Sequence, residues 1–424
     1  MASYSSTFPN IENPLSDGGL WASVPGPIID MESITGGFAQ ATGLTGSAAM
    51  KLNTSAPGGV VGANQYSKGV VQTESTGGNL WLFTRFQASD GDCYALEVNI
   101  TGTCDFYEGV DTGTMVFNII GLSSSPTVAG GDTIEFRVCG CILAMLINNV
   151  LTKGAYHSGY TSGQPGFGAD STTAVANQQW ASVEVGDLTV NGPTVAGVVE
   201  NLRTGTTDPW TFSHDQGTTA PKGVLLVIVH GTTTQLVDTT AGHVTYGGVT
   251  MTQVRRNTAS TTEAGTVEVW FVGSGIPTGT QTVSIDLTSA TTQDTYAMCL
   301  TLDAAADLEV LDHDGITNSA VQNGGSVTLQ YGGRGGIAFG AVFSGQTAIT
   351  NGIAVAAGVN ISATELTGNI TASVLVQALP GTADFTVACT HTGGTADDFA
   401  MSAVAIGEVT HMNVSEAVAV SDEI

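Results

Sequence analysis

An all-β fold, two antiparallel β-sandwich (jelly-roll-like) domains in tandem, is predicted from three observations. The chain holds 56 glycines, with Thr, Ser, Val and Ala dominating what remains, and no segment sustains a 3.6-residue apolar period. Apolar residues instead alternate at period two, as in Ile134, Phe136 and Val138 against Glu135 and Arg137. At 424 residues the chain exceeds one ordinary core, so two domains of roughly 200 residues follow.

Taken in order, residues 1–20 carry Pro9, Pro14 and several Asn, Asp and Gly, and read as an irregular arm ending at Leu20-Trp21. Strands are expected at Ala49 to Leu52, Leu80 to Gln87, Tyr94 to Ile100, Thr114 to Ile120, 133 to 151 and Trp180 to Val185. In Leu80 to Phe86 both alternating faces are largely apolar, Trp81, Phe83 and Arg85 on one and Leu80, Leu82, Thr84 and Phe86 on the other, so this strand should be central. The stretch from Gly131 to Leu151 reads as a β-meander, because Gly140 and the pair Asn148-Asn149 accept the positive φ of tight turns. Gly, Asn and Pro cluster from Gly186 to Pro193, which divides a first domain, 21–187, from a second, 188–407, and makes Gly192-Pro193 the expected site of first proteolytic cleavage. In the second, Val224 to Val229 is wholly apolar, Val283, Ile285 and Leu287 alternate with polar residues, and further strands are expected at Val267 to Phe271, Tyr296 to Leu302, Val327 to Tyr331, Ile337 to Phe343, Val374 to Ala378, Phe385 to Ala388 and Phe399 to Ile406. The tail 408–424 is acidic and polar.

The meander resembles the central hairpins of laminin-G or concanavalin-like jelly rolls, and Gly163-Gln164-Pro165-Gly166-Phe167-Gly168 resembles the loop that follows them. Tyr246-Gly247-Gly248-Val249-Thr250-Met251-Thr252, Val269-Trp270-Phe271 and Pro277 to Ile285 resemble a β-sandwich domain recurrent in tailed-phage virion and tail proteins, over residues 195 to 305.

Ten Lys and Arg face 37 Asp and Glu, a formal charge of −27 that argues against binding nucleic acid through its phosphates. No secretory signal is visible at Met1 to Ser6, and the longest apolar runs are too short to cross a bilayer, so a protein folded in the cytoplasm is expected. The six cysteines form no C-x-x-C pair and read as small buried apolar residues; Cys139/Cys141 as a metal or disulfide pair and Cys93/Cys104 as a bridge are the alternatives.

No H-E-x-x-H, P-loop, dinucleotide or G-x-S-x-G pattern is present. His230, after an apolar strand, reads as a strand-end histidine. Asp307 to Asp312, with Glu309 and Asp312, is the nearest approach to a glycosidase carboxylate set and reads as a solvated strand edge, while Glu97, Glu108, Asp111 and Glu135 are scattered. Asp90/Asp92 and Asp312/Asp314 set paired oxygens on turns, as calcium requires, with turn formation as the default reading; laminin-G-like folds often carry such a rim ion. Tyr107, Tyr156, Tyr160 and Phe167 lie in loop-like sequence near the rim of the first sandwich, either to stack on a sugar or to plug the sandwich end.

No catalytic, cofactor-binding or metal-binding residue is assigned, and no cofactor is expected beyond that calcium. The expectation is a non-enzymatic structural protein of a phage particle, a decoration or tail-surface component, with a glycan-binding receptor module as the alternative and a polysaccharide hydrolase as the third reading. Its expected partners are other virion proteins and copies of itself in a trimer, with the arm or the tail making contact; edge strands poor in lysine are ready to be covered in this way.

Overall fold

The computed structural model describes residues 3–409 apart from short stretches, the longest being 25–30, 54–60, 216–220, 232–236, 289–294, 318–323, 346–352 and 392–397. The architecture is antiparallel β throughout, with no helix among the described residues. No helix is therefore long and apolar enough to cross a membrane.

Among the described residues six sheets stack in three pairs. The first pair, an eight-stranded and a seven-stranded sheet, spans Ser3 to Asp187. Its core forms from the inward residues of alternating strands: Ile134, Phe136, Val138 and Trp180 from one sheet meet Leu80, Leu82, Leu96, Phe106 and Phe167 from the other. The meander forms at Thr133–Cys139, Ile142–Ile147 and Val150–Tyr156, with Asn148 and Asn149 at φ 51° and 66° in its turn. The arm is less irregular than its prolines imply. Ser3–Ser6 pairs with Gln179–Asp187, and Phe8 and Leu15 are buried in the first core.

Residues 188–407, expected as one sandwich, hold four sheets. Strands from Thr194 to Asp303 form a five-stranded and a four-stranded sheet around Trp210, Tyr246, Trp270 and Ile285. Strands from Leu308 to Glu408 form a five-stranded and a three-stranded sheet around Leu329, Tyr331, Phe399 and Met401. The two five-stranded sheets then face each other, burying Leu225, Val227, Val229, Phe339, Phe343 and Val404 in a shared core. This is why Gly223–His230 and Gly336–Ser344 are buried at every position: each has a sheet on both sides. Cys141, Ile142, Ala144 and Leu146 of the meander join that core from the first pair. The connection between the pairs is likewise packed, since Pro193 is buried and a Cβ on Gly192 would lie 2.7 Å from the Gly336 nitrogen, so Gly192-Pro193 is not the open linker its composition suggests.

Most of Gly163 to Gly168, expected as loop, belongs to the strand Gln164–Ser171, interior in the seven-stranded sheet between Gly78–Phe86 and Ser47–Leu52. Its glycines carry the explanation: a Cβ on Gly168 would come within 2.9 Å of the Phe83 ring, so the small residue leaves room for an aromatic on the next strand.

Candidate functional site

The strand Gly78–Phe86 sends Leu80 and Leu82 into the first core, so Trp81 and Phe83 emerge on the outer face of the seven-stranded sheet. At Arg85 the backbone turns to φ 55° and the register against Gln164–Ser171 slips by one residue, from Phe83 opposite Gly166 to Phe86 opposite Gln164. The slip reverses the expected parity of Phe86, which packs with Phe83 on the outer face at a ring separation of 4.7 Å.

Neighbouring strands bring polar groups to the same face. Glu97 stands opposite Trp81, and Tyr107 and Phe117 lie on the next two strands outward. The Trp81 and Phe117 rings stack at 4.9 Å and 17°. Tyr107 donates its hydroxyl to Glu97 Oε2 at 2.7 Å, and Trp81 Nε1 donates to Asp170 Oδ2 at 3.0 Å from the other side. Asn79 donates its backbone N–H to Asp170 Oδ1 at 2.7 Å and accepts Asn99 Nδ2 at 2.6 Å. Burial pushes the Glu97 carboxyl above its ordinary range, helped by the charges of Asp105 and Asp170, and burial pushes Asp170 up as well. Burial and the neighbouring Glu97 push the Tyr107 phenol up too, so it remains a donor. Trp81 is buried beneath the surface, while Tyr107, Phe117, Glu97 and Asp170 are only partly buried. The result is an aromatic patch rimmed by carboxyl and amide groups.

The four aromatics singled out in the sequence do not come together. Only Tyr107 reaches this face. Phe167 is fully buried in the first core against Trp21 and Phe8. Tyr156 faces the middle pair, where its hydroxyl and that of Tyr296 donate to the two oxygens of Glu200. Tyr160 packs on Tyr94 at the sandwich end and donates to the Gly109 carbonyl, the plugging role. Trp81, Phe117 and Asp170 were missed, although the Trp81/Phe83 alternation marked a second apolar face.

The carboxylate pairs behave as structural groups. Glu309 pairs with Arg334, and Asp312 Oδ2 accepts the Gln330 N–H at 2.8 Å. Asp312 and Asp314 lie within the strand Leu308–Thr317, not on a turn, and Asp314 Oδ1 accepts the Gly315 N–H. Asp92 accepts the Asp111 N–H, and Asp90 lies outside the described residues. Among the described residues no three His, Cys, Asp or Glu side chains group as a metal site would require. Glu108 stands 3.9 Å from His157, and Glu135 pairs with Arg137 at 2.6 Å. His230 is a buried strand-end residue whose Nε2 lies 3.3 Å from Glu268, out of line for a hydrogen bond. None of the six cysteines is in a disulfide, and all are buried. Cys93 points to the outer face and Cys104 to the core, so the sheet itself separates the pair proposed as a bridge. Burial pushes the Cys139 and Cys141 thiols up to about 12, so both are neutral at pH 7, as packing groups are.

No family model and no curated protein matches the chain. Among solved structures, the chain is similar to a carbohydrate-binding module, CBM66 from Bacillus subtilis, at 14% identity and TM-score 0.29 over 40% of this chain and 92% of that one. It is also similar to the Bacillus licheniformis beta-glucanase, at 12% identity and TM-score 0.30 over 44% and 99%. The Emp47p carbohydrate recognition domain gives 13% identity and TM-score 0.29 over 44% and 95%. At these scores the likenesses assign no function.

Proposed function

We propose that the chain is a non-enzymatic glycan-binding structural protein whose contact face is the outer surface of the seven-stranded sheet. The observation that carries this is the placement of Tyr107 and Phe117 over Trp81, between the Glu97 and Asp170 carboxyls. A pyranose offers apolar C–H faces to aromatic rings and hydroxyls to carboxyl and amide acceptors, which is the pairing this face supplies. Calorimetric titration with oligosaccharides found on a glycan array tests it. Tyr107→Ala or Phe117→Ala should weaken binding about tenfold, roughly 1.4 kcal/mol, whereas Tyr156→Phe, at the interface with the middle pair, should leave it unchanged. Equal binding by all three variants would remove this face from the reading.

A second reading, polysaccharide hydrolysis, has one observation in its favour: a carboxyl pushed up by burial stands on either side of Trp81, and a protonated carboxyl is what a general acid must be. Release of reducing ends that disappears in Glu97→Gln would put this reading first.

The finer placement is a tailed-phage particle, where the chain would decorate the capsid or tail as a homotrimer among other virion proteins. The resemblance of residues 195 to 305 and the acidic, Thr- and Gly-rich composition support it. A density map of the particle, with native mass measurement of the free protein, tests the location and the stoichiometry together.

A further inference from the structure

The slip at Arg85 has a chemical consequence at the end of the first sandwich. Arg85 is 2% exposed, yet among the described residues its guanidinium meets no carboxylate. Nε and Nη2 donate to the Ala63 carbonyl at 3.2 and 2.8 Å, Nη2 also to the Gly140 carbonyl at 2.7 Å, and Nη1 to the Tyr160 carbonyl. These carbonyls take four of the five N–H groups, and the Tyr94 side chain lies against the guanidinium, its ring centroid 5.8 Å from Cζ. Buried Lys153, by contrast, is paired with Asp105 at 2.6 Å. Burying a charge against backbone dipoles and one aromatic ring, with no carboxylate beside it, is costly, and the strained φ of 55° at a non-glycine residue adds to that cost.

Arg85 and all three residues whose carbonyls it holds line one cavity of about 200 Å³, room for roughly six waters' worth of matter. Beside Cys141 and Ala196, the rest of the lining is hydroxyl, amide and carboxylate: Ser158, Thr161, Thr194, Asn64 and Asp303. Ser158, Thr161 and Asp303 are exposed, so the cation sits at the floor and the hydroxyl acceptors at the mouth.

We infer that this cavity binds a single carboxylate-bearing pyranose, a hexuronate, with its carboxylate on Arg85 and its hydroxyls toward Thr194, Asn64 and Asp303. The sugar carboxylate supplies the counter-charge that Arg85 lacks, and Asp303 at the mouth disfavours a bare multivalent anion while accepting sugar hydroxyls. The cavity is separate from the aromatic face, so the inference stands independently of the glycan-binding reading.

Calorimetric titration of the full chain with glucuronate, galacturonate, glucose, acetate and inorganic phosphate tests it. One of the uronates should bind about tenfold or more tighter than glucose, acetate and phosphate. Thr161→Trp, which fills the mouth without touching the guanidinium, should abolish that binding, and Arg85→Gln should remove the preference over glucose. Should Arg85→Gln fail to fold, Thr161→Trp decides. Tyr107→Ala should leave uronate binding intact, so loss of array glycans in that variant and loss of uronate in Thr161→Trp report on different surfaces. The inference is overturned if glucose matches the uronates, if phosphate binds as tightly, if Thr161→Trp binds uronate like the parent, or if no uronate binds.

Discussion

The buried ionic groups set the sharpest expectations for single residues. Lys153 Nζ lies 2.6 Å from Asp105 Oδ1 and 2.7 Å from the Cys104 carbonyl, with both side chains 4% exposed. Removing one partner strands the other charge, so Lys153→Met should cost about 3–5 kcal/mol in urea unfolding. Lys153→Met combined with Asp105→Leu should cost less than either change alone. The carboxyls of the outer face behave in the opposite sense to Glu268. Glu97 and Asp170 are pushed above their ordinary values of 4.5 and 3.8, chiefly by burial, so their folded forms favour the proton. Their contribution is full at acid pH and lost as pH rises through the folded values. Glu97→Gln and Asp170→Asn should therefore stabilise the fold at pH 7 and lose that advantage below pH 3.8. Burial alone would push Glu268 up, but the nearby His230 ring and the Arg256 guanidinium, which donates to Oε2, outweigh it and hold the carboxyl below 4.5. Its contribution is present above 4.5 and lost as pH falls, so Glu268→Gln should destabilise at neutral pH, with the deficit shrinking in acid. Thermal unfolding of the three variants across pH reads both signs in one experiment.

Among the elements, the bulged strand Gly78–Phe86 does most to position both candidate surfaces. It places Trp81 on the outer face and Arg85 in the end cavity, and it depends on Gly163, at φ 140°, where a Cβ would lie 2.4 Å from the Arg85 carbonyl carbon. Gly163→Ala is expected to cost about 2 kcal/mol or more, from strain and forced displacement. It should also weaken uronate binding before it weakens glycan binding at Tyr107; denaturant unfolding and the two titrations check this order. The same strand shows how far local pattern carries. Alternation correctly marked both of its faces as apolar, whereas the parity change after Arg85 was invisible because it arises from pairing with a strand some eighty residues away. Gly163 to Gly168 reads as a loop for a related reason: glycine run and turn look alike until the rings that the glycines accommodate are in place.

For the whole molecule, the shared core between the two five-stranded sheets makes residues 194–408 one energetic unit despite two internal cores. A Cβ on Gly265 in the middle pair would lie 2.1 Å from the Phe343 ring in the last pair, so the sheets approach each other closely here. Gly265→Ala should cost about 1–3 kcal/mol by overpacking, and Phe343→Leu should relieve part of it, a coupling across the two pairs. Calorimetry that resolves separate transitions for the middle and last pairs, or strictly additive effects, would overturn this account.

Composition and period-two alternation by themselves determined the all-β class, the meander with its Asn148-Asn149 turn, and the apolar strands such as Val224 to Val229, because backbone alternation and turn chemistry are local. Tertiary structure alone decided that 188–407 forms four sheets rather than two, since a strand buried on both faces does not say which sheet will cover it. It also decided the chemistry. Tyr107, Phe117, Trp81, Glu97 and Asp170 sit on five different strands, and Arg85 meets Ala63, Gly140 and Tyr160 only where three distant loops converge. Hydrogen-bonded pairing between remote segments sets those neighbours, and no local pattern encodes it.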